Sequence, residues 1–179
     1  NATDFGDLYI ATFTPGALAS DTRAVWGGGS AASPVGTKDN SIQFVTIATI
    51  GNTTDFGDLT VGRRHVGGLS SPTRGVYGAG ANPGITDVMD FITIASTGNA
   101  TDFGNMTVSR NDSAGCSNAI RGLFIGGLQP ATLNTIDLIT IATTGDATEF
   151  GDLPAAIRYG AGLTDSIRGV FTGGGAPGG

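Results

Sequence analysis

The residues best equipped for chemistry in this 179-residue chain are paired acids that recur along it. The run Thr-Asp-Phe-Gly-Asp-Leu at 3–8 returns, with small changes, at 54–59, 101–106 and 148–153, and three of the four copies carry carboxylates three residues apart. The acids of these runs are Asp4, Asp7, Asp55, Asp58, Asp102, Glu149 and Asp152. Clustered carboxylates can bind Ca²⁺ or act as a general acid and base. They also cap turns and pair with arginine, and we expect this structural role in preference to calcium binding or catalysis.

An arginine follows each of these runs, always 15 residues after the run's last residue. The four are Arg23, Arg74, Arg121 and Arg168. Because the spacing is the same in every copy, we predict a structural ladder in which these arginines pair with the repeated acids, including Asp7, Asp58 and Asp152, of the same or the next repeat. Replacing Arg74 or Arg121 with Ala would then leave a partly buried acid unpaired and lower the thermal stability.

The remaining reactive side chains do not form a catalytic constellation. His65 is the only histidine and Cys116 the only cysteine, and neither has a partner at a repeated position, so Ser-His-Asp and Cys-His chemistry have no support. We expect His65 to be a surface strand residue and Cys116 to be a small buried apolar side chain. The glycine runs at 27–29 and 173–175 are not followed by Gly-Lys-Ser/Thr and resemble strand ends more than a phosphate loop. We therefore expect no enzymatic activity, no cofactor and no metal site.

Composition and charge narrow the kinds of partner. The chain has 15 acidic and 9 basic residues, which give a formal net charge of −6. It therefore lacks the extended basic surface that the phosphates of nucleic acids require. No apolar run reaches the ~18 residues needed to span a bilayer. We expect neither nucleic-acid binding nor membrane insertion.

The acids and arginines belong to a repeat that covers the whole chain. Successive copies are offset by 51, 47 and 47 residues, and a third landmark, the apolar run at 42–49, recurs at 89–96 and 136–143. Each copy offers about four strand-like segments separated by Gly, Pro, Asn or Asp turns, without helical periodicity. A repeat of this length with four strands predicts an all-β fold, a β-propeller. The alternative is a β-solenoid, whose coils usually repeat at about half this length or less.

The repeat also predicts how the single domain is divided. Units lie near 9–59, 60–106 and 107–153, and 154–179 together with 1–8 forms an incomplete fourth unit. That unit lacks a counterpart of 133–145, about 13 residues that include a strand. We expect either that the chain is part of a longer protein or that a neighbouring subunit donates the strand, because an unpaired strand edge is a template for pairing.

Two features of the repeat resemble known families. An aromatic strand that ends in a double glycine, at Trp26, Tyr77, Phe124 and Phe171, followed by a β-branched strand, resembles the kelch repeat, as do the arginines Arg63, Arg110 and Arg158. Phe56 and its equivalents depart from the kelch pattern, which usually has Trp. The phrases Ile-Thr-Ile-Ala-Thr-Thr-Gly and Thr-Asp-Phe-Gly-Asp-Leu are similar to repeats in virion proteins of marine tailed bacteriophages, particularly those that infect cyanobacteria. This resemblance implies a tail-fibre or other protein of the virion surface, and hence an extracellular location.

Ligand contacts are expected where the repeats differ, because the shared residues serve the scaffold. The most variable stretches are 30–41, 81–87 and 128–135, which all emerge on one face of a propeller. They carry Lys38, Asn40, Asn82, Gln129 and Asn134, a mostly uncharged set that suits a carbohydrate. We therefore expect a non-enzymatic adhesion module that contacts a host glycan or other virion proteins. The alternative is a purely structural extracellular repeat protein that assembles with copies of itself.

Overall fold

A computed structural model describes residues 1–32 and 37–175, and it confirms the all-β prediction. Strands make up 50% of the chain, and the described residues contain no helix. In chain order the strands are β1 (Thr12–Phe13), β2 (Gly16–Ala19), β3 (Arg23–Gly27), β4 (Ser30–Ala31), β5 (Ser41–Thr46), β6 (Thr54–Asp58), β7 (Gly67–Ser70), β8 (Arg74–Gly78), β9 (Ala81–Asn82), β10 (Gly84–Ile85), β11 (Val88–Thr93), β12 (Thr101–Asn105), β13 (Ala114–Ser117), β14 (Arg121–Ile125), β15 (Leu128–Gln129), β16 (Ala131–Thr132), β17 (Thr135–Thr140), β18 (Thr148–Asp152), β19 (Arg158–Thr164) and β20 (Gly169–Gly175).

Three four-stranded antiparallel sheets follow one another along the chain. Sheet I has the order β2-β3-β5-β6, sheet II β7-β8-β11-β12 and sheet III β13-β14-β17-β18, so strands that are consecutive within a repeat pair with each other. The fourth repeat contributes the hairpin β19-β20. In the chain, the short hairpins β9-β10 and β15-β16 lie between the second and third strands of sheets II and III. In the pair β1-β4, β1 precedes sheet I and β4 lies between its second and third strands. The strands of the three sheets fall within the units at 9–59, 60–106 and 107–153.

The outermost strand of each sheet carries the same irregularity. The register between the third and fourth strands shifts once in every sheet, for example between Met89 and Asp90. The glycine opposite the shift has a positive φ, 142° at Gly57 and 136° at Gly104, a conformation that an L side chain rarely adopts. A Cβ atom on Gly57 would also overlap the carbonyl of Gly98 in the next repeat. The Phe-Gly dipeptide of the repeat therefore serves both a β-bulge and the close approach of neighbouring sheets.

The sheets pack face to face, and the core lies between them. One cluster joins Leu18, Val25, Ile42 and Phe56 of sheet I to Tyr77 and Ile94 of sheet II. The equivalent cluster joins Leu69, Val76, Met89 and Phe103 of sheet II to Phe124 and Ile141 of sheet III. The second strand of sheet II is covered on both faces, since Val76 and Tyr77 are both fully buried. This burial explains why the residues of that strand are apolar at positions pointing to both faces of the sheet.

The first strands β2, β7, β13 and β19 form a row of inner strands, in which each strand touches the next. Glycine is needed at the contact, because a Cβ on Gly68 would overlap the carbonyl of Ala17 and one on Gly115 would overlap the carbonyl of Gly68. At one end of the row, hydroxyls donate hydrogen bonds to the carbonyl of the preceding repeat. These are Ser70 Oγ to Ala19 O at 2.7 Å, Ser117 Oγ to Ser70 O at 2.7 Å and Thr164 Oγ1 to Ser117 O at 2.6 Å.

The run at 3–8 lies against sheet I in the way that β6 lies against sheet II. The amide of Gly51 donates to Phe5 O at 2.9 Å, just as Gly98 N donates to Phe56 O at 2.7 Å. The part of the chain that the structure describes contains no helix long and apolar enough to cross a membrane.

Candidate functional site

Four residues at or just before the start of the inner strands share a strained backbone conformation. Thr14, His65, Asp112 and Tyr159 occupy the same position in their repeats and have φ angles of 58°, 59°, 57° and 58°. We call these four residues the entry rim. A left-handed conformation costs a residue with a Cβ about 1–2 kcal/mol, and such strain is concentrated at functional sites. The four side chains differ from one another, in a chain whose other positions largely repeat.

Backbone hydrogen bonds between repeats hold this conformation. The amide of His65 donates to Thr14 O at 3.0 Å, that of Asp112 to His65 O at 3.4 Å and that of Tyr159 to Asp112 O at 3.1 Å. Each residue of the rim is therefore attached to its neighbour, and the four side chains are presented side by side at one end of the row of inner strands.

His65 and Asp112 form a close polar contact within the rim. Nδ1 of His65 lies 2.6 Å from Oδ1 of Asp112, and the two side chains are 21% and 3% exposed. The next member, Tyr159, is 58% exposed, and its ring centroid lies 5.3 Å from the guanidinium carbon of Arg158. The rim thus combines a fixed polar pair with an accessible aromatic ring. The prediction that His65 is a surface strand residue was wrong, because His65 precedes β7 and is tied to the next repeat.

A second set of side chains lies one residue before the rim. Phe13, Arg64, Asn111 and Arg158 are equivalent to one another, because in each repeat their backbone meets the second glycine of the double-glycine turn. Nε of Arg64 and Oδ1 of Asn111 are buried without a hydrogen-bond partner. Native structures leave few buried polar atoms in this state, so these two atoms indicate a place where a ligand or water completes the hydrogen bonding.

The five residues predicted to contact a ligand lie at the same end of the sheets as the rim. The hairpins β9-β10 and β15-β16 connect second to third strands there, and Leu128 N donates to Asn111 O at 2.8 Å. Asn40 and Asn82 are exposed, whereas Lys38, Gln129 and Asn134 are half-buried. Part of the variable stretch 30–41, at 33–36, lies outside the described residues. The binding role of the five residues stays a prediction.

The arginines predicted to pair with the repeated acids have other partners. Nη1 of Arg23 donates to Ile94 O at 2.7 Å, and Nη1 of Arg74 donates to Ile141 O at 3.0 Å, in each case across to the next sheet. The guanidinium carbons lie 4.5 Å and 4.3 Å from the ring centroids of Phe44 and Phe91 of their own sheets. The arginines therefore do link neighbouring repeats, but through backbone carbonyls and aromatic stacking.

The pairing of these arginines with Asp7, Asp58 and Asp152 was wrong because the two sets lie at opposite ends of the sheet. Arg23 is opposite Thr46 at the end of β5, whereas Asp58 is opposite Ser41 at its beginning, a separation of roughly 16 Å at 3.3 Å per residue. In two runs the first acid caps its own turn instead: Asp4 Oδ1 accepts a hydrogen bond from Gly6 N at 3.1 Å, and Asp55 Oδ1 accepts one from Gly57 N at 3.2 Å. Arg121 and Arg168 are exposed.

Two buried ion pairs were missed. Arg63 Nη1 lies 2.9 Å from Asp90 Oδ2, Arg110 Nη2 lies 2.7 Å from Asp137 Oδ2, and all four side chains are fully buried. Burial lowers the pKa of Arg63 and of Arg110, and the charge of the aspartate partner opposes that shift. The signal in the sequence was an aspartate inside an otherwise apolar strand, but its partner lies 27 residues earlier.

Sheet I replaces this ion pair with neutral groups. Gln43 stands at the place of Asp90, and its Nε2 donates to Ile10 O at 3.0 Å while its Oε1 accepts from Thr53 Oγ1 at 2.7 Å. Thr12 stands at the place of the arginine. The cation and the anion are therefore lost together, as expected when an unpaired buried charge is costly.

The kelch-like alignment of Arg158 with Arg63 and Arg110 was wrong by one residue. Gly80 N donates to Arg110 O at 2.8 Å, and Gly127 N donates to Ile157 O at the same distance. Ile157 is therefore the equivalent residue of the fourth repeat, and Arg158 belongs with Arg64 next to the rim.

Two further predictions concern metal and thiol chemistry. Within 1–32 and 37–175, no group of three or more His, Cys, Asp or Glu side chains could hold a metal ion. Cys116 is buried, 6% exposed, as predicted for a small apolar side chain, and burial raises the pKa of its thiol to about 11. A thiol with a raised pKa is a poor nucleophile near neutral pH.

Comparison with known proteins gives no family for this chain. No protein-family model matches it, and a search of curated proteins found no similar sequence.

Proposed function

We propose that the chain is a non-enzymatic binding module, a kelch-like β-propeller that contacts a carbohydrate at its entry rim. The observation that carries this proposal is the contrast between Thr14, His65, Asp112 and Tyr159, which differ, and the near-identical scaffold that holds them in one conformation. A scaffold that repeats while the side chains at one end of it vary is the arrangement expected of a recognition surface.

Three features support a propeller in preference to a solenoid. All ladder hydrogen bonds of the four-stranded sheets lie within one repeat, the sheets pack face to face through apolar clusters, and the first strands form the inner row. Blades of a propeller have this organisation. A kelch-like propeller further requires that the blades close into a ring.

Carbohydrate is the ligand class that best fits the chemistry of the rim. Tyr159 offers an accessible aromatic face that can cover the apolar face of a sugar ring, and its hydroxyl can donate and accept. The amides of Asn40 and Asn82 are exposed at the same end and can also do both. Sugar hydroxyls need such paired donors and acceptors.

The setting we propose is a surface appendage of a bacteriophage virion, with a host glycan or other virion proteins as partners. This part of the proposal is supported by the repeated phrases at 3–8 and 139–145. It also implies an extracellular location.

Binding to a glycan array tests the proposal. We expect the chain to bind a defined set of glycans and Tyr159→Ala to weaken this binding at least tenfold, because the aromatic face is lost. Ile167→Ala is the matched control, since Ile167 is 87% exposed in the turn between β19 and β20, at the opposite end of the inner strands. Equal loss in both variants, or no binding by the unmodified chain, would overturn the proposal.

A second candidate, self-assembly, is favoured by the outward faces of the described repeats. Leu163 and Val170 of the fourth repeat are 67% and 58% exposed, whereas the equivalent Leu69 and Val76 of sheet II are 3% and 0% exposed. On the other side, Ile47 of sheet I is 45% exposed and its equivalent Ile94 is 1% exposed. These faces correspond to the two halves of the interface that joins sheet I to II and sheet II to III. A second copy of the chain could therefore dock face to face.

Light scattering over a range of protein concentrations tests self-assembly. We expect mass to rise with concentration and Leu163→Asp to abolish the rise, because a charge would be buried at the new interface. If the chain has a single mass at all concentrations and binds glycans, self-assembly is excluded and the adhesion module remains as the proposed function.

A further inference from the structure

Arg64 and Arg158 occupy one repeated position and flank the neutral Asn111 between them. Their backbone carbonyls lie against Gly80 and Gly174, as that of Asn111 lies against Gly127. All three side chains are half-buried. The position next to the rim thus carries a guanidinium in the second and fourth repeats.

Neither guanidinium forms an ion pair with a carboxylate of residues 1–32 or 37–175, where the arginine–acid pairs are Arg63 with Asp90 and Arg110 with Asp137. Asp112, which follows Asn111, contacts His65 instead. Nε of Arg64 is in addition buried without a hydrogen-bond partner.

The other arginines for which the structure gives contacts are satisfied in ways that these two are not. Arg23 and Arg74 donate to carbonyls of the next sheet and stack on phenylalanines. Arg63 and Arg110 bind buried carboxylates. Arg158 contacts only the ring of the rim residue Tyr159 among these kinds of partner. Arg121 and Arg168 also have no acidic partner among the described residues, but they are exposed at the opposite end of the sheets. The rim end thus holds two half-buried arginines without a carboxylate partner, in a chain of net charge −6.

The chemistry of the two arginines describes the ligand. Guanidinium groups match carboxylate or phosphate oxygens.

We propose that the ligand of the entry rim is an acidic saccharide, whose carboxylate or phosphate is bound by Arg64 and Arg158. This inference rests on the proposed function and specifies its ligand class. Tyr159 covers a sugar ring, and His65 holds Asp112 away from the anion.

The experiment compares three immobilised polymers: polygalacturonate for carboxylate, poly(glycerol phosphate) for phosphate and dextran as the neutral sugar. We expect the unmodified chain to bind at least one acidic polymer ten times more tightly than dextran, with binding that weakens as salt increases. The double variant Arg64→Gln/Arg158→Gln should lose at least tenfold in affinity for that polymer. Arg121→Gln, an exposed arginine at the opposite end, should bind as the unmodified chain does.

The outcomes separate the two proposals. If the chain binds dextran as well as the acidic polymers, and the double variant binds unchanged, the acidic ligand is excluded while the carbohydrate-binding module stands. If the chain binds none of the three polymers and no glycan on an array, both proposals fail. Arg64→Lys/Arg158→Lys should retain part of the binding and the native melting temperature. Equal loss of binding in the lysine and glutamine variants, together with binding by the unmodified chain that does not weaken in salt, would show that charge is not the property recognised.

Discussion

Nδ1 of His65 lies 2.6 Å from Oδ1 of Asp112, and this contact joins the second repeat to the third at the entry rim. The two side chains are unequally covered, because His65 is 21% exposed and Asp112 only 3%. Loss of either partner therefore leaves the other in a different environment.

We expect His65→Ala to reduce the free energy of unfolding by about 1–3 kcal/mol, because the buried carboxylate of Asp112 is left unpaired. Asp112→Ala should cost less, since His65 can reach water. Alanine meets the same left-handed backbone at both positions, so the strain cancels in the comparison. Denaturant unfolding of both variants and of the double variant measures the coupling. Additive effects of the two substitutions would contradict an energetically significant pair.

The neutral arrangement in sheet I can be transplanted into sheet II. Arg63→Thr alone leaves Asp90 as an unpaired buried charge and should cost about 3–5 kcal/mol. The triple variant Arg63→Thr/Asp90→Gln/Ala100→Thr reproduces Thr12, Gln43 and Thr53 and should recover most of that loss. Urea unfolding provides the measurement. A triple variant less stable than the single one would show that the two arrangements are not interchangeable.

Strain at the rim predicts a stabilising substitution. Thr14 is β-branched and has a φ of 58°, which glycine adopts without steric cost. Thr14→Gly should stabilise the chain by about 1 kcal/mol, or raise its Tm by about 2–4 °C. Ala17→Gly is the control, because Ala17 lies in strand β2 and glycine should destabilise it. A lower Tm for Thr14→Gly would mean that the left-handed conformation is not costly here.

Cys116 predicts a loss of stability at high pH. Burial raises the pKa of its thiol from 9.0 to about 11, so between these values the unfolded chain has lost the proton that the folded chain retains. Stability must then fall as pH rises through this window. Tyr77, whose pKa burial also raises, contributes in the same direction, and a variant without the thiol separates the two.

Cys116→Leu is that variant, because Leu18 and Leu69 occupy the same position and pack over Gly75 and Gly122. We expect a smaller decline in the free energy of unfolding between pH 9 and 11 than in the unmodified chain, measured by denaturant titration at each pH. If the free energies of unfolding of the two proteins decline in parallel as pH rises, the Cys116 thiol is exposed to water in the folded chain.

The strands and their grouping could be predicted because they depend on local pattern. Four strand-like segments per copy, bounded by glycine and asparagine turns, correspond to the four strands of sheets I to III. The apolar run at 42–49 and its copies at 89–96 and 136–143 correspond to the third strands, β5, β11 and β17.

The ladder and the rim could not be predicted, for different reasons. The spacing shows that the arginines and the acids recur together. Only the pairing of the strands reveals that Arg23 and Asp58 lie at opposite ends of β5. The residue types of the rim do not predict its conformation, because Thr, His, Asp and Tyr do not share a preference for a left-handed backbone. Its conformation is imposed by hydrogen bonds between repeats, and these are tertiary.

The glycines of the inner row have a consequence for growth of the structure. Gly68, Gly115 and Gly162 each meet the carbonyl of the strand before them, whereas the first repeat has Ala17 at this place. Any strand that docked in front of Ala17 would have to stand back by the width of a methyl group. The internal joints are thus the tight ones, and a seam in front of the first repeat, whether it closes a ring or joins two copies, would be wider and would open first. Such a seam would be the weakest joint of the row.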